Sequence, residues 1–276
     1  MMKSRAVSIA KFELNAVNED AVLCRDNLIA VSDGAGGGGV FADCWSRYLV
    51  NNLPDKALSN YESLDDWIDN IWETFYDEYE TKAKNIGGMF LNKFYDEGSY
   101  ATLAAAWKIS NNKVRWITYG DSVVFHYNRA NGKLEYSIEG LSEFNNAPPL
   151  ITYIDKIDEK KVKTGIFEID INSLVFISTD ALSHYILMMY MLSQKKQYDK
   201  EINDAINCCT KNSNYIKVAM TLNEINFYTD VIKRLFLNDY MMKRHLNRIY
   251  KEGLIALDAC YLSSSRPTTS SVRSSS

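Results

Sequence analysis

The sequence contains few histidines and few prolines, and both shortages narrow what the chain can be. Of its 276 residues, only 3 are histidine and 4 are proline. The five cysteines are an odd number and show no CxxC spacing, so a structural zinc site built from cysteine and histidine is disfavoured. No stretch rich in proline, glycine and serine divides the body of the chain. We therefore predict a single domain over residues 1–262.

Long apolar runs and concentrated positive charge are also missing. The longest apolar run, YILMMYML at 185–192, is too short to span a bilayer, and no signal segment opens the chain. The formal net charge is -4, and the small basic clusters at 158–163 and 241–248 are interpreted as solvated faces. Neither a membrane nor a nucleic acid is therefore expected as a partner. A reducing cytoplasm is the simplest location for these cysteines.

Strand-like and helix-like patterns follow one another in blocks. Strand-like runs occupy 6–10, 21–25 and 28–32, and helical spacing follows at 40–53 and at 62–86, where Ser63 and Asp66 resemble an N-terminal cap. Strands are predicted at 99–109, 113–120, 123–129, 133–138, 164–169 and 173–179. Helices are predicted at 181–192, 198–211 and 230–252, before a last strand at 253–262. This order predicts a layered α/β sandwich followed by a disordered Ser-rich tail at 263–276.

The stretch AVSDGAGGGG, residues 30–39, places Asp33 at the end of a strand with five glycines beside it. A phosphate-binding Walker loop is excluded because no lysine follows the glycines. A dinucleotide fingerprint is excluded because the strands do not alternate with helices. Two interpretations stay open, a metal site that needs close approach to the backbone and an ordinary turn.

Other carboxylates also stand at the ends of predicted strands. Asp121 follows one strand and Asp180 follows another, and Glu19 and Asp20 lie between the first two. Asp258 lies in the last predicted strand. Taken alone, each of these acids is interpreted as a helix cap or a turn residue. Together they form a set of oxygen ligands of the kind that suits Mg²⁺ or Mn²⁺, and two such ions can activate a bridging water for attack at phosphorus.

Six short motifs occur in an order that is typical of one enzyme family. They are NED at 18–20, VSDGAGG at 31–37, GSYAT at 98–102, YGDS at 119–122, FISTDAL at 176–182 and LDACYL at 257–262. In this order the chain resembles the metal-dependent serine/threonine protein phosphatases of type 2C, over essentially its whole length before the tail. The resemblance implies two antiparallel β-sheets packed face to face and flanked by helices. It also implies hydrolysis of phosphoserine and phosphothreonine esters in proteins by a water activated at a binuclear Mg²⁺ or Mn²⁺ centre.

The resemblance also assigns roles to residues. It implies that Asp33 bridges two ions, that the carbonyl of Gly34 binds one of them, and that Glu19 and Asp20 hold metal-bound waters. The further ligands that it implies are Asp180, Asp258 and, at an auxiliary position, Asp121; His184 stands where the family often carries an acid that binds a third ion.

Several positions depart from the family pattern. Asn15 occupies the substrate-binding position where the family carries an arginine that grips the phosphate. Ala181 replaces a glycine, and His184 and Ala259 replace residues that commonly complete the metal site. These departures favour a second hypothesis, a catalytically weak or inactive phosphatase-like module that binds a phosphoprotein. A third hypothesis is a purely structural α/β protein with accidental motifs.

Two histidines are candidate proton donors. His126 lies on a predicted strand beyond the YGDS motif, and His184 follows Asp180 by about one helical turn. For both residues we expect a structural role, His126 as a surface or packed histidine and His184 as a first-turn residue with a structural hydrogen bond.

Overall fold

The computed structural model describes residues 2–9, 17–37, 39–256 and 260–267, the first and last of these ranges as backbone only. Ten strands are present in this part of the chain: β1 Met2–Ile9, β2 Ala21–Cys24, β3 Leu28–Ser32, β4 Leu103–Lys108, β5 Lys113–Tyr119, β6 Val123–Asn128, β7 Leu134–Tyr136, β8 Lys163–Glu168, β9 Ser173–Ser178 and β10 Cys260–Pro267. They form two five-stranded antiparallel sheets, with the orders β1-β10-β9-β6-β7 and β2-β3-β4-β5-β8.

The helices lie in three regions of the chain. The α-helices are α1 Ala42–Asn51, α2 Tyr61–Ile86, α3 Gly88–Asp96, α4 Asp180–Ser193, α5 Lys195–Asn207, α6 Lys211–Ala219, α7 Lys233–Leu235 and α8 Asp239–Lys251. A π-helical segment, Tyr228–Ile232, runs directly into α7, and short 3₁₀ helices occupy Leu141–Asn145 and Glu159–Lys161. Within the described residues, none of the helices has both the length and the apolar composition needed to cross a membrane.

Alternation along the central strands builds three separate layers of core. In β3, which belongs to the second sheet, Ile29 and Val31 face the first sheet, where they pack with Val175 and Ile177 of β9. The intervening Ala30 faces the opposite way and packs with the side chains of α1 and α2. Because both faces of the strand are covered, β3 is buried along its whole length. The predicted layered sandwich is confirmed.

The largest core lies between the first sheet and the C-terminal helices. Helix α4 is buried on every side between Ala181 and Leu192, and it packs against Phe125 and Phe176 of the sheet. A helix that is apolar all round belongs in the interior rather than on a surface. The apolar run at 185–192 is therefore the central helix of this layer.

Several predicted boundaries differ from the structure. Helix α2 begins at Tyr61, and its N-cap is Asn60, whose side chain accepts from the Ser63 backbone N–H at 3.1 Å while Ser63 Oγ accepts from the Asn60 backbone N–H at 3.2 Å. Ser63 is thus the third residue of a capping box. The predicted helix at 230–252 is interrupted after Leu235 and starts again at Asp239, because Asn238 caps the new helix by accepting from the Met241 N–H.

The final strand is also displaced from its predicted position. We predicted it at 253–262, and β10 runs over Cys260–Pro267 instead, between β1 and β9. The serines at 263–265 pair with Ile177, Phe176 and Val175 through their backbones, and hydrogen bonding of this kind does not depend on an apolar side chain. The first residues of the predicted tail therefore belong to the sheet. Residues 268–276 lie outside the described residues.

Candidate metal centre

The strand register brings the predicted acidic positions to one end of the sandwich. Val31 pairs with Ala104, and Leu103 pairs with Tyr119, so the end of β3 meets the start of β4 and the end of β5. In the other sheet, the start of β6 at Val123 meets the end of β9 at Ser178. Asp33, Asp121 and Asp180 therefore leave their strands at the same end, from two different sheets.

Thr102 connects three of the sequence motifs at this end. Its backbone N–H donates to the Asp33 carbonyl at 2.8 Å, and its Oγ1 accepts from the Asp33 N–H at 3.2 Å. The same Oγ1 lies 2.9 Å from Ser122 Oγ, and the Thr102 carbonyl accepts from Ser32 Oγ at 2.6 Å. These bonds are buried, so they fix the loop that carries Asp33 relative to the loop that carries Asp121.

Glycine is required where these loops approach one another. Gly120 has a φ of +117°, and a Cβ at this position would lie 2.6 Å from both Cβ and Cγ2 of Thr102. A Cβ at Gly34 would lie 2.6 Å from two backbone carbonyl oxygens, those of Glu19 and Ala42. A Cβ at Gly36 would overlap the Glu19 carboxylate. The glycine-rich stretch therefore permits close packing of the Glu19 segment against the loop after β3.

Helix α1 holds the NED segment from the other side. Ser46 Oγ, which is fully buried, donates to the Glu19 carbonyl, and the Arg47 guanidinium donates to the Asn18 carbonyl at 2.9 Å. The backbone N–H of Asp20 donates to the Asn18 side chain at 3.2 Å. Asp20 itself is 5% exposed. The two acids of this segment are thus positioned by main-chain contacts.

The electrostatics of the site reflect crowding of negative charge. Burial and the neighbouring charges of Asp180 and Asp33, with a smaller contribution from Glu143, together raise the pKa of Asp121 to about 8. The three aspartates therefore lie within electrostatic range of one another. A cation placed among them would lower the pKa of Asp121 by compensating the repulsion.

The candidate metal-ligating side chains do not all come together among the described residues. Within residues 17–37 and 39–256, no group of three or more Asp, Glu, His or Cys side chains comes together closely enough to hold a metal ion. Two predicted site residues, Asn15 and Asp258, lie outside the described residues. Ala259 lies outside them as well.

A small pocket of about 120 Å³ opens beside Asp180. Asp180 is the first residue of α4, and its Oδ1 accepts from the Ala181 backbone N–H at 2.5 Å. The opposite wall comes from α6 and includes Lys211, which is the single cation among the lining residues, and Asn212. The Asn212 amide donates to the Phe144 carbonyl at 3.0 Å, and this bond ties the start of α6 to the 3₁₀ helix.

His184, for which we expected a structural hydrogen bond, lines the same pocket. The residue is 4% exposed, and its Nε2 is buried and has no hydrogen-bond partner among the residues that the structure describes. Burial lowers the pKa of this imidazole to about 4. The side chain is therefore neutral at physiological pH and presents an unused nitrogen to the pocket.

His126, in contrast, is a packed histidine. Its Nδ1 lies 2.8 Å from Glu135 Oε2 and its Nε2 lies 2.8 Å from Ser173 Oγ, so both nitrogens are used within the first sheet. It is 3% exposed and belongs to the strand rather than to the acidic end of the sandwich.

Solved structures with the same architecture cover almost the whole chain. PstP/Ppp, a serine/threonine phosphatase of Mycobacterium tuberculosis, aligns with a TM-score of 0.56 at 14% identity over 97% of this chain and 99% of its own. Serine/threonine phosphatase Stp1 from Staphylococcus aureus aligns with a TM-score of 0.55 at 12% identity over 98% and 96%. The chain has the fold of the type 2C serine/threonine phosphatases.

A further type 2C structure contains metal. The catalytic domain of PstP in complex with 2 manganese ions aligns with a TM-score of 0.54 at 14% identity over 96% of this chain and 97% of its own. Neither a protein-family model nor a curated protein matches the chain in sequence. At these identities the likeness is one of fold, so the chemistry of this type 2C fold must be argued from its own residues.

The sequence did not indicate that α6 contributes one wall of the pocket beside Asp180. Lys211 and Asn212 follow two cysteines and a threonine in a polar stretch that carries no recognisable motif. They reach Asp180 because α6 packs on the outer side of α4, and a local pattern contains no information about such a contact.

Proposed function

We propose that this chain is a metal-dependent protein serine/threonine phosphatase that binds Mg²⁺ or Mn²⁺. The observation that supports the proposal is the meeting of strand-end acids from both sheets at one end of a type 2C fold. The phosphoprotein substrate and the cytoplasm as its location belong to the same proposal. Free thiols at Cys44, Cys208 and Cys209 agree with a reducing compartment.

The residues present fit divalent ions in charge and in donor type. Burial and the nearby charges of Asp180 and Asp33 raise the pKa of Asp121, and carboxylate oxygens are the donors that Mg²⁺ and Mn²⁺ prefer. At Gly34, where a Cβ would collide with backbone oxygens, close approach to the main chain is possible only without a side chain. We infer that Asp33, the Gly34 carbonyl and Asp180 hold the ions, with Asp258 as a further ligand and Asp121 at the auxiliary position.

The protein's own residues prepare the site for a phosphate ester. When bound, the ions lower the pKa of coordinated water and neutralise charge on the phosphoryl group. Ser46 and Arg47 of α1 hold the backbone of this segment at Glu19 and Asn18, and from there Glu19 and Asp20 orient water. Lys211 supplies positive charge on the Asp180 side, and we propose that Asn15 contributes a neutral amide where an arginine would give a charged clamp.

Hydrolysis of an aryl phosphate with and without Mn²⁺ tests the proposal. We expect turnover in Mn²⁺ and none in chelator. Asp33→Asn should abolish turnover and reduce Mn²⁺ affinity in a calorimetric titration while the circular dichroism spectrum stays unchanged. Asp170→Asn, which replaces an exposed acid in the turn between β8 and β9, is the matched control and should behave as the wild type. Equal Mn²⁺ affinity in wild type and Asp33→Asn would remove Asp33 from the centre.

A non-catalytic module that binds a phosphoprotein is the second candidate. The specific observation in its favour is that the described acids do not close around one ion position, while His184 and Ala181 occupy places where the family carries other residues. A wild-type protein that binds a phosphopeptide but shows no turnover in Mg²⁺ or Mn²⁺ would establish this function in place of catalysis.

A further inference from the structure

A large groove lies along one face of α8, the helix that contains the basic cluster at 241–248. Its volume is about 670 Å³, within the range of ligand-binding clefts. Met241, Arg244, Arg248 and Lys251 follow one another at intervals of three or four residues, so they share one face of the helix. Arg234 of α7 adds a second wall.

The groove is strongly positive although the whole chain is negative. Its lining residues include four cations, Arg234, Arg244, Arg248 and Lys251, against one carboxylate, that of Glu252. Within the described residues, the Arg248–Glu252 pair at 3.8 Å is the only ion pair that any of these cations makes. Unpaired cations that line one groove repel one another, so an anionic ligand would be bound favourably.

A buried imidazole lies at the base of the groove and contacts one of its cations. His245 is 5% exposed, and its Nε2 is buried without a hydrogen-bond partner among the described residues. Its Nδ1 lies 3.4 Å from an Arg248 guanidinium nitrogen, which can only donate. This contact helps to fix the position of the Arg248 side chain beside the groove.

We propose that this groove binds a short acidic segment of a partner protein. Carboxylates of the segment pair with the cations, among them Arg248, which His245 helps to hold in place, while an apolar side chain packs on Leu237 and Met241. A peptide is favoured over a nucleic acid because Glu252 at one end and the net charge of -4 repel a long polyanion. The proposal does not depend on catalysis, because these residues belong to α7 and α8 rather than to the acidic end of the sandwich.

Fluorescence anisotropy with a labelled glutamate-rich peptide that contains one leucine tests the proposal. The double variant Arg244→Gln/Lys251→Gln should bind the peptide roughly tenfold more weakly than the wild type at low salt. The matched control, Lys195→Gln/Lys196→Gln, removes the same charge from the exposed start of α5 and should bind as the wild type. The glutamine version of the peptide should not bind.

His245→Phe separates the role of the imidazole from that of charge. It keeps a ring at the base of the groove and removes the Nδ1 acceptor that contacts Arg248, so affinity should fall while the dependence on salt stays as in the wild type. Circular dichroism confirms that each variant is folded. Equal weakening in the two double variants, binding of the glutamine peptide, or preference for oligothymidylate or phosphatidylserine vesicles would overturn the proposal.

Discussion

At the scale of single residues, Gly120 and Thr102 determine how the two sheets present their acids. Gly120 has a backbone conformation that other residues rarely adopt, and it lies against the Thr102 side chain. The hydroxyl of Thr102 in turn reaches both Ser122 and the Asp33 backbone. The YGDS motif is thus a packing requirement as well as a source of a carboxylate.

Gly120→Ala should destabilise the protein by about 3 kcal/mol, because the new methyl group meets the rigid Cβ of Thr102 and the φ angle is strained. Gly132→Ala is the control, since Gly132 also has a positive φ, of +72°, but its nearest neighbour would lie 3.9 Å away. That variant should lose about 1 kcal/mol. Urea unfolding measures both, and equal losses would show that contact with Thr102 does not matter.

Lys211→Met should raise KM for a phosphopeptide roughly tenfold and change kcat less, because an ammonium group beside Asp180 attracts the phosphate dianion before reaction. Lys217→Met is the control, because Lys217 lies on the same helix, is exposed and is not part of the pocket. Steady-state kinetics in Mn²⁺ distinguish the two variants. A KM that Lys211→Met leaves unaltered would place the phosphate grip elsewhere.

At the scale of elements, some of the structure could be read from the sequence and some could not. The strand-end acids were predictable because alternating apolar residues fix where each strand ends. Helix α3 was missed because it begins at a glycine pair, and α6 was missed because its first turn is KNSN, residues that favour turns. Both helices are stabilised by buried residues, Phe94 in α3 and Ile216 in α6, whose partners lie far away in the chain.

Asn60→Ala should destabilise the protein by about 1 kcal/mol, because it removes the cap of α2, the longest helix in the described residues. Asn70→Ala lies within the same helix, where its amide donates to the Asp66 carbonyl from an exposed position. It should change stability by only a few tenths of a kcal/mol, since alanine favours the helix interior. Thermal unfolding compares the two, and a harmless Asn60→Ala would show that α2 needs no cap.

At the scale of the whole molecule, two of the three histidines are buried in the core of the C-terminal layer. Burial lowers the pKa of both His184 and His245 to about 4, and the charges of Arg248 and Arg234 lower that of His245 as well. Asp230 acts on His245 in the opposite direction, and Tyr185 packs against its ring. As the pH falls, these two histidines are therefore protonated in the unfolded chain at a higher pH than in the folded protein.

The free energy of unfolding should fall as the pH drops from about 6.5 to about 4, by about 2–3 kcal/mol for each of these histidines. The contribution of Asp121 to this change in stability has the opposite sign. Its pKa is raised in the folded state, so its protonation stabilises the folded protein as the pH falls from about 8 to about 4. Its contribution cancels when His245→Gln is compared with the wild type. Urea titrations at several pH values should show that the free energy of unfolding falls less steeply with acid in His245→Gln than in the wild type. Parallel plots of this free energy against pH would contradict the assignment.

The pairing of β1 with β10 has a consequence for synthesis. Ile9 pairs with Cys260 and Met2 with Pro267, so β1 lies at the edge of its sheet with β10 as its single neighbour. On the ribosome, β1 emerges long before its partner β10, because the other eight strands lie between them in the sequence. Those strands can pair first, while β1 joins its sheet only by closing a very long loop, which makes folding slow. Until that moment the nascent protein exposes an unsatisfied strand that chaperones would need to shield.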